Sequence, residues 1–121
     1  MTLVEVIVAI TLLGGVLFGM SAFSLKLAQA SAVSRIRATA SQLISDRLEQ
    51  VKGAPRYSVI DSLYVTTEPN ASGFTGYTRQ TWVKRVGGTP ADSIDYKLVT
   101  VEVRHIKLKT PVRKTTAIAP F

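Results

Sequence analysis

Residues 1–25 read MTLVEVIVAITLLGGVLFGMSAFSL, an apolar run in which Glu5 is the one charged side chain before Lys26. From Val6 to Leu25, 20 residues pass without an ionisable group. As a helix that length spans roughly 30 Å, the hydrocarbon thickness of a bilayer. A carboxylate beside such a run costs about 2.5 kcal/mol or more if unpaired, so Glu5 calls for a partner. The nearest candidate is a free α-amino group at Met1. Negative charge is also favoured in the first turn of a helix, which gives Glu5 a purely local role as the competing reading.

Beyond Lys26 the pattern turns amphipathic. Val33, Ile36, Ala40, Leu43, Ile44, Leu48 and Val51 recur at helical spacing, with Arg35, Ser41, Gln42, Glu49 and Lys52 on the other side. Gly53-Ala54-Pro55 supplies the stop. The spacing therefore predicts one helix from about residue 2 to about residue 52, apolar all round in its first half and needing cover on one face in its second. Gly14, Gly15 and Gly19 each weaken it by roughly 1 kcal/mol relative to alanine. Gly15 and Gly19 have the G-x-x-x-G spacing that lets membrane helices approach closely. Local unwinding between Gly14 and Gly19, once the helix leaves the membrane, is the other reading.

Residues 56–76 are punctuated by Pro69, Asn70, Gly73 and Gly76 and read as a connection from helix to sheet. Asn70-Ala71-Ser72 has the form of an N-glycosylation acceptor at Asn70, with Ser72 as its hydroxyl residue, a pattern that small polar loops also match by chance. Strands are expected over Tyr77–Val86, Tyr96–Ile106 and Val112–Ala119, with a fourth short one over Tyr57–Leu63. In the second of these, Val99, Val101 and Val103 share one face, opposite Thr100, Glu102 and Arg104. A hairpin around Leu108-Lys109-Thr110 joins the last two. The expected fold is α+β: a long N-terminal helix packed on a small C-terminal antiparallel sheet of three to four strands. The chain divides into an apolar half-helix (1–25), an amphipathic half-helix (26–53) and a β domain (54–121).

The opening Thr2-Leu3-Val4-Glu5-Val6, followed at once by an apolar helix, resembles the processed N-terminus of type IV pilins and of type II secretion pseudopilins. The resemblance implies a non-enzymatic structural subunit. A prepilin peptidase removes a basic leader, the new first residue, here Met1, is N-methylated, and the pilus assembly machinery draws the subunit from the inner membrane. The product is a helical homo-oligomeric filament outside the cell. In that family the carboxylate at the fifth position pairs with a neighbour's N-terminal ammonium, which assigns Glu5 and Met1 to an intersubunit ion pair. The family's usual first residue is Phe, and pilins often carry a proline where this chain has Ala22. Many pilins also close their C-terminal region with a disulfide; this chain has no cysteine.

All 15 Lys and Arg lie at or beyond residue 26, against seven of the eight acidic residues, and the net charge is +7. Such a surplus favours polyanionic partners. Lys107, Lys109, Arg113 and Lys114, joined by Lys97, Arg104, Arg79, Lys84 and Arg85, form a candidate contact for DNA, which some pili of competent bacteria bind, and the alternative to a plain filament subunit is a minor pilus subunit that binds DNA or surfaces through this region. An ordinary solvated surface that discourages edge pairing is the plainer reading. By the positive-inside rule the bare chain would keep its C-terminal part in the cytoplasm, an orientation that a basic leader would reverse. That leaves an unprocessed single-pass membrane protein as a third alternative. One His, no Cys and no cluster of carboxylates supply no catalytic constellation, cofactor site or metal site. His105 alternates with the valine face and is expected in or near the sheet core.

Overall fold

The computed structural model describes residues 2–121. The chain forms two compact units, the first made of its N-terminal helix up to Ser34 and the second of Arg35–Phe121. The helix, α1, is Leu3–Lys52, 50 residues without a break. It ends where the sequence places its stop: the Gly53 N–H still bonds to the Glu49 carbonyl, and the chain leaves at Pro55.

In the first unit the large apolar side chains of α1, among them Leu3, Leu12, Phe18, Phe23 and Leu27, are exposed. By length and composition this segment can cross a membrane. Two of its hydroxyls are satisfied as an apolar surrounding would require, Thr11 Oγ1 donating to the Ile7 carbonyl at 2.8 Å and Ser21 Oγ to the Leu17 carbonyl at 3.0 Å. The helix continues unbroken through Gly14, Gly15 and Gly19, and a side chain added at any of the three would meet nothing within 4 Å.

In the second unit, four strands form an antiparallel sheet in chain order: β1 (Thr67–Glu68), β2 (Tyr77–Gly87), β3 (Asp95–His105) and β4 (Val112–Ile118). The register pairs Thr81 with Val101 and Val101 with Lys114, which turns Val99, Val101 and Val103 to one face. These three valines are fully buried against Ala40, Leu43, Ile44, Leu48 and Val51 of α1, with Ile60, Ala71 and Ile118 closing the core. Ile36, in the expected stripe, is half-buried, while Val33, at the head of that stripe, belongs to the first unit. His105 ends the valine face, half-buried, with its ring 4.5 Å from that of Tyr77.

The fourth strand is not where it was expected. Tyr57–Leu63 folds as a single 3-10 turn, Tyr57–Val59, running into a short helix, α2 (Ile60–Tyr64). The reason is period: Tyr57, Ile60 and Tyr64 are spaced three and four apart, so a helical turn brings all three onto the core, whereas a strand would divide them between two faces. The edge strand is instead the two-residue β1, paired with Gln80 and Arg79. The β2–β3 connection requires its glycines. Gly87 has φ +76°, and a Cβ there would lie 2.0 Å from the Ile94 carbonyl oxygen.

Leu43→Ala is expected to destabilise the unit Arg35–Phe121 by about 2–5 kcal/mol, through lost burial and the cavity left against the valine face. Leu17→Ala, in the exposed part of α1, is expected to leave that unfolding transition unmoved. Denaturant unfolding of both variants in detergent, followed by Trp82 fluorescence, measures the difference.

Candidate functional site

At the start of α1, Thr2 and Glu5 form a capping box. The Thr2 backbone N–H donates to Glu5 Oε2 at 3.0 Å, and the Glu5 backbone N–H donates to Thr2 Oγ1 at 3.3 Å. Two of the orphan donors of the helix start are thereby satisfied. The T-x-x-E spacing carried this signal in the sequence, where only the favourable helix dipole was drawn from it. Glu5 Oε1 accepts no hydrogen bond among the described residues. Met1, assigned to methylation and to the intersubunit ion pair, lies outside the described residues.

The basic residues of the β domain do not form one patch. Arg79 and Lys97 are only 3% and 2% exposed, because both sit on the valine face and point into the core. Arg79 Nε donates to Glu68 Oε2 at 2.7 Å, and its Nη1 to the Leu43 carbonyl at 3.0 Å. Arg47, also buried, pairs with the other oxygen of Glu68 and lies over the Tyr64 ring. Lys97 Nζ reaches Asp61 Oδ2 at 3.0 Å and the Tyr57 carbonyl at 2.9 Å, with the Tyr57 ring beneath it. These cations are structural. Strand alternation does place Arg79 and Lys97 on the inner face, but the acids that neutralise them lie on α2 and β1, which the sequence had not located.

On the opposite face, Glu102 is 0% exposed although it belongs to the outer row. Arg113, its register partner on β4, donates from Nε at 3.0 Å, and Arg104 lies across its other oxygen. Arg113 in turn stacks over the Trp82 ring at 5.5 Å. Of the four candidate polyanion residues, then, Arg113 is engaged with Glu102 on the outer face. Lys114 points to the other face at the sheet edge. Lys107 and Lys109 stand in the turn between β3 and β4. At the far end of the sheet, Arg85 clamps Asp95 through Nε at 2.9 Å and Nη2 at 2.7 Å, and the Tyr57 hydroxyl donates to Asp95 as well. Asn70 takes a left-handed conformation, φ 50°, and its Oδ1 accepts the Gly76 N–H at 3.0 Å, so the candidate glycosylation residue also fastens its own loop; Ser72 is left-handed too.

Burial by itself raises the Glu68 carboxyl, but the hydrogen bonds and charges of Arg47 and Arg79 outweigh it and hold the group below the usual carboxylate range. Glu102 follows the same balance, with Arg113 and Arg104 winning over burial. Asp95 is lowered chiefly by its hydrogen bond from Arg85. A carboxyl depressed on folding contributes stability that is fully present above its unfolded value, about 4, and is lost as pH falls through the folded value. The unit is therefore expected to hold its stability down to about pH 5 and to lose it steeply below about pH 4. Glu68→Gln is expected to flatten that acid limb and to cost about 3 kcal/mol at neutral pH, because Arg47 and Arg79 are left buried without their counter-charge. Denaturant midpoints across that pH range test both statements.

Comparison with protein-family models, with curated proteins and with solved structures finds no match for this chain.

Proposed function

We propose that this chain is a structural subunit of a type IV pilus-type filament. The helix holds it in a membrane before assembly and packs against the helices of other copies afterwards. One observation carries the reading: α1 continues without a break from a membrane-length apolar segment, whose large apolar side chains are exposed, into a second half that forms the core of the β domain. An apolar helical segment followed by a unit with its own core suits a subunit that moves from lipid to a filament core. The Thr2–Glu5 opening supports the same reading. Moving the stem from lipid to protein gains little hydrophobic free energy, so close packing and specific polar contacts must set the register. Gly14, Gly15 and Gly19 suit close approach. Glu5 Oε1, unbonded among the described residues, is suited to accept a neighbour's ammonium while Oε2 keeps its cap. An unpaired Glu5 in a filament core would be a costly buried charge, which rejects misdocked subunits. Repetition of one heterologous contact without ring closure then builds an open helix. A type II secretion pseudopilin would use the same parts.

The test separates cap from charge. Glu5→Gln keeps a side chain that can cap, and Glu5→Ala keeps neither function. Both variants are expected to insert in the membrane and to be absent from sheared surface filaments; filament yield at the unsubstituted level from Glu5→Gln would overturn the ion pair. Mass measurement of the N-terminal peptide from sheared material checks the processing, with a methylated Met1 as the expected product. An unmodified Met1 confined to the membrane fraction would overturn the filament reading.

A further inference from the structure

The β3–β4 turn carries an arrangement that the filament reading does not use. The Leu108 N–H closes a tight turn on the His105 carbonyl at 2.9 Å, and the Lys107 N–H donates to His105 Nδ1 at 3.1 Å. This turn tucks Leu108 into the fold and thrusts Ile106 outward, 94% exposed. Lys107 and Lys109 flank it, and Arg104, Lys109 and Pro111 help line a cleft of about 410 Å³ beside it. An isoleucine held in water between cations is a combination suited to an interface, where the apolar tip enters the boundary and the cations meet phosphates.

Contacts within the unit Arg35–Phe121 locate the turn. Lys97 reaches the Tyr57 carbonyl, just past the end of α1, whereas Arg79, opposite Val103, reaches the Leu43 carbonyl. Following β3 from Lys97 to Val103 therefore runs back along α1, and the turn lies further still, toward Arg35. A groove lined by Ser41, Ser45, Val112 and Lys114 agrees with that direction. Arg35, Arg37, Lys107, Lys109 and Lys114 gather at this end, none paired with an acid among the described residues. Asp61 and Asp95 lie at the other end, and Glu68 and Glu102 are already engaged. The basic end is thus the one where the chain enters from its apolar segment. In sequence, Arg35 follows Lys26, the end of the apolar run, by only nine positions.

We infer that the β3–β4 turn is a membrane-surface contact: Ile106 enters the interfacial layer, and Lys107, Lys109 and Lys114 pair with the phosphates of anionic phospholipids. The inference rests on α1 spanning a bilayer before assembly. Mixed apolar and basic character favours lipid over DNA, which offers phosphates but no layer for Ile106 to enter.

The chain has no cysteine, so single substitutions place a probe uniquely. Ile106→Cys, Ala91→Cys at the opposite turn and Phe18→Cys in the stem, each labelled with a polarity-sensitive fluorophore, are reconstituted as the full chain in phosphatidylcholine vesicles with and without phosphatidylglycerol. Headgroup spin-labelled lipid quenches probes that lie in the interface. The probe at 106 is expected to be quenched several-fold more than the probe at 91 when phosphatidylglycerol is present. Lys107→Glu with Lys109→Glu, or high salt, is expected to bring it to the level at 91. Equal quenching at 106 and 91, with the stem probe blue-shifted as in hydrocarbon, would overturn the membrane contact and leave the spanning helix standing. A stem probe reporting water would overturn both. Protection of the 106 probe by added duplex DNA, without quenching by lipid, would assign the turn to nucleic acid and also overturn the proposal.

Discussion

One helix carries two kinds of surface, apolar all round and then along one stripe only, and the rest of the structure follows from that constraint. Up to Ser34, α1 satisfies its backbone internally and offers no charge between Glu5 and Lys26, as an apolar medium requires. From Arg35 onward the same helix needs a partner along one stripe, and a four-stranded sheet supplies it. A sheet this small, with one face in water, could not bury enough surface alone. The helix is therefore half of the core, and the valines of β3 are the other half.

Electrostatics in the β domain divides the cations into two populations. Arg47, Arg79 and Lys97 are drawn inward, and each is matched to an acid that a connecting segment brings to it: Glu68 on β1 for the two arginines and Asp61 on α2 for the lysine. A buried guanidinium without such a match would be costly, so these short connections fix where the sheet sits on the helix as much as the apolar contacts do. Glu102 is held between Arg104 and Arg113 on the other face. With Glu68, Asp61, Asp95 and Glu102 so committed, Arg35, Arg37, Lys107, Lys109 and Lys114 are left without an acid partner among the described residues, around the β3–β4 turn and the nearby start of the second unit.

The long elements were legible in the sequence. The helix is visible in its apolar run, its stripe and its Gly-Ala-Pro stop, and the three long strands fall within a residue or two of where alternation puts them. The connection from helix to sheet was not legible, because eight residues from Tyr57 to Tyr64 support both periods, and burial of Ile60 decides between them. The roles of the cations were only half legible. Alternation along β2 and β3 assigns Arg79 and Lys97 to the inner face, but a charged residue there reads as surface until its acid is located, and Glu68 and Asp61 lie in the segments that were misread. Ile106 carried no sequence signal of its own, since its exposure comes from the turn that Leu108 closes on His105.

The bond from Arg79 to the Leu43 carbonyl has a mechanical side. That carbonyl stands in the middle of the second half of α1, where it also serves the helical ladder. With Arg47 held by Glu68 one turn further on, the sheet grips α1 well before the helix ends. Within the unit Arg35–Phe121, a pull along α1 is therefore met by the strands near Leu43 and Arg47, as shear across several side chains. Val51, in the last turn, is held by the same core, so the load on this part of α1 is spread over two turns and does not fall on one contact.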